Sequence, residues 1–290
     1  MDHQRSSSLG LDTRFCVVTP NYNMAEYLEE TIESVLKNLR PGDEYFIIDG
    51  GSTDGSVDVI KKYEDRITDW ISEPDEGYAD ALRKGFEMSS APLICWVNCG
   101  DLLLTGTLDL VRGRFTYSQA DLLFGDDYYV DEQGLVLQHS NGYVKDLQKM
   151  MLFGGWTPLQ DACYWRRSLY DSIKGIDVTI RHAADYDFFL RMSLKGKAEY
   201  FPAVLSAFRR HGGQKSISGA DAYASERQDI RTDALNNVDL WWGIKLIARI
   251  RYRLQGYVRA HLKHLNQKES ENIGVHVSEI TATPSTGVNE

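Results

Sequence analysis

The chain has 290 residues, of which 42% are hydrophobic, and a formal net charge of −10 at pH 7. That length and apolar content support one large domain or a domain with appendages, and the acidic balance excludes a general nucleic-acid binder, which needs a broad positive surface. No run reaches the ~20 apolar residues of a membrane span, MDHQRSSSLG lacks a signal-peptide core, and Cys16, Cys95, Cys99 and Cys163 show no paired metal-ligand spacing, so a cytoplasmic protein with reduced thiols is expected.

RFCVV (14–18) is β-branched and predicts a strand, followed by TPNYN (19–23) as a turn. Asn23, with Glu26 three residues on, predicts a helix cap. Leu28, Ile32, Val35, Leu36 and Leu39 then share one helical face until Pro41-Gly42. EYFII (44–48) predicts a second strand, GGSTDG a loop, and Val57, Ile60 and Tyr63 a helix. DWIS (69–72) predicts a third strand, Ala79, Leu82 and Phe86 a third helix, and LICWV (93–97) a fourth strand. Strands alternating with helices imply an α/β fold with a mostly parallel central sheet and helices on both faces. Ligands in such sheets bind beyond the carboxyl ends of the strands. The polar stretches Thr19–Asn23, Asp49–Asp54 and Asn98–Asp101 all fall at such ends, which makes them one candidate cleft.

The second half is less regular. DLLFGD (121–126) and GLVLQ (134–138) predict strands, and CYWRRSLY (163–170) a strand running into a helix. DYDFFLRMSLKG (185–196) predicts a helix ended by Gly196, and AEYFPAVLSAFRRH (198–211) an extended segment. The last ~25 residues are polar and patternless, which predicts disorder.

Each candidate site residue has two readings. IIDGGSTDG (47–55) lacks the spacing of a dinucleotide site or a P-loop. Asp49 there is either a hydrogen-bond acceptor for a base or ribose, or part of a tight turn in which Asp54 caps the next helix. Tyr22 either stacks a nucleobase or merely packs. Asn98 and Asp101 either hold a divalent cation, which takes carboxylate and phosphate oxygens, or form a polar turn. Asp185 and Asp187 sit at a helix start, where acids suit the dipole and where one of them can also act as a general base. His211, in RRHGGQKS, is a ligand or an ordinary surface histidine.

Taken together, VVTPNYNMAEYLEETIESVL, EYFIIDGGSTDGSVDVI, WISEPDEGYADALRKGFEMS and LICWVNCGDLLLTGTL, followed by FGDDYYVDEQG, QDACYWRRSLYDSIKGID, ADYDFFLRM and FRRHGGQKS, strongly resemble family 2 glycosyltransferases over about residues 14–215. The resemblance implies a GT-A fold and an inverting, hexosyl-type transfer from a nucleotide-diphosphate sugar, such as a UDP- or GDP-sugar, to a glycan or glycolipid hydroxyl, with Mg²⁺ or Mn²⁺. By position it implies that Thr19, Pro20 and Tyr22 line the nucleotide site, that Asp49 meets the base, that Asp80 lies near the donor, and that Asn98 and Asp101 occupy the metal motif. It further makes Asp185 the catalytic base and puts His211 at the diphosphate or metal. Two positions depart from the pattern: Arg83 stands for the usual Asn, and Gly100 for the first acid of the metal motif. Those departures keep a second reading in view, a degenerate domain that binds nucleotide or glycan without turnover. The expected organisation is a flexible N-terminus at 1–12 and a catalytic domain at 13–218, with a nucleotide-sugar half at 13–104 and an acceptor half at 105–218. A helical basic extension at 219–265 and a disordered tail at 266–290 follow.

Residues 241–264 invert the chain's charge, with six Lys/Arg and no acid. Ile247, Ile250, Leu254, Val258, Leu262 and Leu265 form a helical stripe, and Lys245, Arg249, Arg253, Arg259 and Lys263 project elsewhere. Such a helix either lies on an anionic membrane surface, here the inner face, or packs on protein.

Overall fold

The computed structural model describes residues 12–212, 219–237, 250 and 272–284. In chain order the strands are β1 (Phe15–Asn21), β2 (Glu44–Asp49), β3 (Asp69–Ser72), β4 (Leu93–Trp96), β5 (Leu102–Leu103), β6 (Leu122–Val130), β7 (Val136–Ser140), β8 (Cys163–Arg166) and β9 (Ala198–Arg209). The helices are α1 (Ala25–Leu36), α2 (Ser56–Lys61), α3 (Tyr78–Glu87), α4 (Thr107–Tyr117), α5 (Leu147–Lys149, running into a π turn), α6 (Arg167–Ser172), α7 (Ala184–Lys195) and α8 (Ala220–Asn237).

The nine strands of the described residues form one sheet in the order β3-β2-β1-β4-β8-β6-β9-β5, with β7 also on β6. β1 to β4 run parallel, and β9 is parallel to β6, while β8, β5 and β7 are antiparallel to their neighbours. The sheet is therefore mixed, with its parallel half built by the first hundred residues, as the strand–helix alternation predicts.

Period-two alternation divides the core into two layers. On β4, Ile94 and Trp96 join the layer under α3 and α7, whereas Leu93, Cys95 and, just past the strand, Val97 join the layer under α1 and α4. β1 splits the same way, with Cys16 and Val18 on one face and Phe15 and Val17 on the other. The first layer is aromatic: Trp96 stacks on Phe189 at 5.5 Å and meets Trp165 edge-on at 5.3 Å, which seats α7 on β4. Helix α1 buries Leu28, Ile32 and Val35, the predicted face.

Three expectations are corrected. First, Thr19 and Pro20 are not in a turn, because β1 continues to Asn21 in register with β2 (Pro20↔Ile48, Asn21↔Asp49). The Pro20 carbonyl accepts from Cys99 N at 3.4 Å, just past the end of β4 at Trp96. Second, Asn23 does not cap α1. It adopts φ +52 and accepts from Thr53 N, while Asp54 Oδ2 accepts from Ala25 N at 2.8 Å. Third, the expected disordered tail includes residues 272–284, which return to the sheet. Val277, Ile280 and Ala282 are buried against Leu102, Leu104, Tyr128, Val130 and Val136, so a few apolar side chains spaced by polar ones suffice to dock the segment. The predicted basic helix at 241–264 and the flexible N-terminus at 1–11 lie outside the described residues. Among the described residues no helix is long and apolar enough to cross a membrane.

Gly85 shows how closely α3 sits on the sheet: a Cβ there would lie 2.5 Å from Val18 Cγ1 and 3.2 Å from Ile48 Cγ1. Gly85→Ala should therefore destabilise the protein by about 1–3 kcal/mol despite the better helix propensity of Ala, because overpacking exceeds the ~1 kcal/mol propensity gain. A urea midpoint equal to or above that of the wild type would show that the contact is looser than this.

Candidate active site

The carboxyl ends of β1, β2 and β4 carry three loops that are tied to one another. Asp49, at the end of β2, has no exposed surface, and its oxygens accept from Asn21 Nδ2 (2.6 Å), Ser52 Oγ (2.5 Å), Ser52 N (2.9 Å), Gly51 N (3.2 Å) and Ser72 Oγ (2.7 Å). Burial pushes this carboxyl up, but the hydrogen bonds from Ser52, Ser72 and Asn21 outweigh it and hold the group below the usual carboxylate range. Asp49 thus spends its oxygens on the protein and fixes the turn, rather than presenting them to the cleft. Thr19 is equally enclosed, with its hydroxyl 3.0 Å from Tyr45 OH. Tyr22 is the opposite case, an aromatic 58% exposed just past the end of β1.

The loop after β4 is held from below. Gly100 has φ +103 and donates to Thr31 Oγ1 at 3.0 Å, so backbone conformation requires glycine here. A Cβ at Gly100 would meet Met24 Cε at 3.5 Å. Asp101 is 4% exposed. It accepts only long bonds, from Arg209 N (3.2 Å), Gln160 Nε2 (3.3 Å) and Asn98 Nδ2 (3.4 Å). Burial, then the nearby Asp161 charge, push Asp101 well above its ordinary value.

Beyond it, the Arg209 guanidinium is buried. It donates to Gly100 O (2.9 Å) and Glu132 O (2.6 Å), pairs with Glu30, and lies 5.2 Å over the Tyr27 ring. His211 rests on the same Tyr27 ring at 5.1 Å. Burial holds His211 below its usual pKa, with Arg209 acting the same way and Glu132 and Glu26 opposing. Among the described residues no three His, Cys, Asp or Glu side chains gather to hold a metal ion. Asp101 is thus a carboxylate bonded at long distance by neutral groups, with the Asp161 and Arg209 charges acting on it in opposite directions. It fits a cation that completes its shell from another molecule's phosphate oxygens, not one held by protein alone.

Asp185 sits on the same edge of the sheet. It opens α7, and its N–H donates to Tyr78 OH (3.0 Å), the first residue of α3, which begins just past the carboxyl end of β3. The half-buried Asp185 carboxylate accepts from Tyr186 N (2.8 Å) and Tyr223 OH (3.3 Å). Burial pushes it up to about 6, against those two hydrogen bonds and the Arg227 charge. Glu226, one turn along α8 from Tyr223, accepts from the N–H groups of Arg181, His182 and Ala183 at 3.1, 2.6 and 2.7 Å and so fixes the entry to α7. Asp187, the other acid of that turn, pairs with Arg191 at 2.6 Å. Asp80 is mostly buried and paired with Arg83 (2.8 Å) and Lys84 (3.3 Å). Arg83, the departure noted in the sequence, therefore serves Asp80 and Glu87.

The site residues missed in the sequence are Tyr78, Tyr223, Glu226, Gln160 and Arg209. Tyr223 and Glu226 share an i, i+3 face of a largely polar helix, a weak signal that names no partner.

The sequence model described as Glycosyl transferase family 2 matches residues 16–173. An uncharacterized glycosyltransferase of Nostoc sp. is 27% identical over 230 residues, covering 73% of this chain and 70% of its own. A PGL/p-HBAD biosynthesis glycosyltransferase of Mycobacterium tuberculosis is 22% identical over 209 residues, covering 69% and 78%. Among solved structures, TarS 1–349 of S. aureus in complex with UDP-GlcNAc superposes with a TM-score of 0.65 at 17% identity, over 88% of this chain and 76% of that one. The mannosyltransferase PcManGT of Pyrobaculum calidifontis in complex with GDP-Man and Mn²⁺ gives 0.57 at 13% identity, over 88% and 76%.

Tyr223→Phe removes a donor to the ionised form of Asp185, so the Asp185 pKa should rise. If the ionised carboxylate is the active form, the acid limb of the pH–rate profile moves to higher pH. The loss would be about threefold near pH 6 and small at pH 8. An acid limb that stays in place would show that Tyr223 does not tune Asp185.

Proposed function

The chain belongs to glycosyl transferase family 2 and has the mixed α/β sheet of GT-A glycosyltransferases; from that premise we propose that it moves a sugar from a nucleoside-diphosphate donor to a hydroxyl of a glycan or lipid-linked acceptor, with inversion. The observation that carries this reading is Asp185. It is a half-buried carboxylate pushed up to about 6, at the edge where the strand-end loops converge. A general base works best with a pKa near the operating pH.

In this reading Asp185 takes the proton of the acceptor hydroxyl as its oxygen attacks C1. The new C1–O bond forms on the face opposite the departing nucleoside diphosphate, whose bond to C1 breaks with both electrons. One carboxylate suffices, because the leaving group is already activated and needs no protonating acid. Exposed Tyr22 offers a face on which a base can stack. Thr19, Pro20 and Asp49 form the wall beneath it, Asp49 through the turn it holds. Asp80, turned to Arg83 and Lys84, supports the start of α3 beside the donor. Asp101, with Asn98 beside it and His211 two residues beyond Arg209, would hold Mg²⁺ or Mn²⁺ against the donor's diphosphate. Such an ion would neutralise charge on the leaving group. The relatives solved with UDP-GlcNAc and with GDP-Man and Mn²⁺ favour a UDP- or GDP-sugar donor. The enclosure of Asp101 favours the second reading, a domain that binds nucleotide without turnover.

Transfer from a panel of UDP- and GDP-sugars separates these readings. Asp185→Asn should lower kcat by about 10²–10⁴-fold while leaving nucleotide affinity within about twofold, and EDTA should lower transfer with recovery on adding Mn²⁺. Native-rate transfer by the Asn variant would exclude Asp185 as base. No transfer from any donor by the wild type, with nucleotide still bound, would establish the binding-only reading.

The basic stretch at 241–264 would bring this activity to lipid-linked acceptors at an anionic membrane surface. Replacing Lys245, Arg249, Arg253, Arg259 and Lys263 by Gln should then abolish co-sedimentation with phosphatidylserine vesicles. Equal sedimentation of variant and wild type would assign the stretch to protein packing instead.

A further inference from the structure

The segment 272–284 lies across four parts of the sheet that sequence keeps apart. Gly274 N donates to Val136 O (2.9 Å), Val136 N to Val275 O (3.0 Å), Val277 N to Gly134 O (3.0 Å) and Ala282 N to Thr105 O (2.8 Å). Asn272 Nδ2 donates to Tyr128 OH at 2.9 Å, and Pro284 bridges Ala203 of β9. Gly134 has φ +80, and a Cβ there would lie 2.7 Å from His276 Nε2, so the hairpin before β7 is shaped to let the segment pass.

One polar contact leads from this segment to the site. His276 Nε2 lies 3.6 Å from Glu30 Oε1 on α1. The other oxygen of Glu30 pairs with the buried Arg209 guanidinium. Arg209 in turn donates through Nε to Gly100 O and through its backbone N–H to Asp101 Oδ1. Its guanidinium and His211 share the Tyr27 ring. A buried guanidinium requires its carboxylate partner, since an unpaired charge there is costly. Glu30 is thus one of the groups that fix Arg209, together with the carbonyls of Gly100, Asp131 and Glu132, and the Asn98–Asp101 loop rests on the same side chain.

We propose that residues 272–284 are a strap in cis that positions the Asn98–Asp101 loop and His211 through Glu30 and Arg209. His276, Glu30 and Arg209 are positioning residues: they hold the protein groups that meet the donor's diphosphate, and the strap completes the catalytic edge from outside the family's matched region, 16–173. The link to the donor rests on the nucleotide-sugar reading above, but the link to the loop does not.

Cys99 gives a reporter within the loop. Its thiol donates to Met24 O at 3.5 Å and is half-buried, whereas Cys16, Cys95 and Cys163 are buried. In the full-length protein, alkylation of Cys99 by iodoacetamide is followed by peptide mass spectrometry, and UDP and GDP affinities by calorimetry. His276→Ala and Glu30→Gln should each accelerate Cys99 alkylation about fivefold and weaken binding of the preferred nucleotide by a similar factor. The double variant should be no worse than Glu30→Gln alone, because both substitutions cut one chain of contacts. Thr283→Ala, on the exposed side of the strap, should change neither readout. Unchanged Cys99 alkylation in His276→Ala, or single-variant effects that multiply, would overturn the strap. If the wild type binds neither UDP nor GDP, the donor reading fails, and the Cys99 rates alone still decide the strap.

Discussion

A carboxylate buried at the end of a strand is the constraint on which this edge depends. Asp49 has no exposed surface, and five hydrogen bonds replace the water it lost. An ionised group so enclosed is tolerated only while its donors stay in place. Those donors come from β1 (Asn21), from the turn after β2 (Gly51, Ser52) and from β3 (Ser72). One desolvated charge thereby couples the ends of three parallel strands, and the loops that leave them inherit its geometry. Gly50 N on Asn21 O and Glu73 N on Asp49 O extend the same lock along the backbone.

The same device recurs around the cleft with other partners. Glu226 reaches from α8 to three backbone N–H groups ahead of α7, where the positive helix end also favours an anion. Asp54 does this for Ala25 at the start of α1, and Arg209 does the converse for the carbonyls of Gly100 and Glu132. In each case a charge on one element satisfies the exposed backbone of another. This fixes where helix starts and strand ends lie before any ligand arrives, and such preorganisation lets fixed dipoles and charges act without reorganising during a reaction.

Much of the parallel half was legible in the sequence, because β1, β2 and β4 are buried on both faces and each helix on one. Apolar runs and 3.6-residue stripes report such burial directly, and the three strand-end loops followed from it. The end of β1 was not legible, since TPN reads as a turn until its register with β2 is known. The docking of 272–284 was hidden because Val277, Ile280 and Ala282 are too few to stand out in a polar segment. They gain burial only from a surface assembled by β5, β6 and β9. The site was legible residue by residue but not in its wiring. Asp49, Asp101 and Asp185 could be picked out, yet nothing in their spacing says that the first is enclosed, that the second rests beside Arg209, or that Tyr223 reaches the third.

The crossing of the strap also bears on how the molecule comes into being. Thr105 pairs with Thr281, Leu135 with His276 and Ala203 with Pro284, contacts between residues far apart in the chain. Pairings between such distant residues are slow to form, because the entropy of closing a long loop is lost before the contact forms. On the ribosome, β1 to β4 can assemble while Leu102, Leu104 and Val136 still lack their cover. A nascent chain paused at that stage would expose an apolar surface to chaperones and to neighbouring chains.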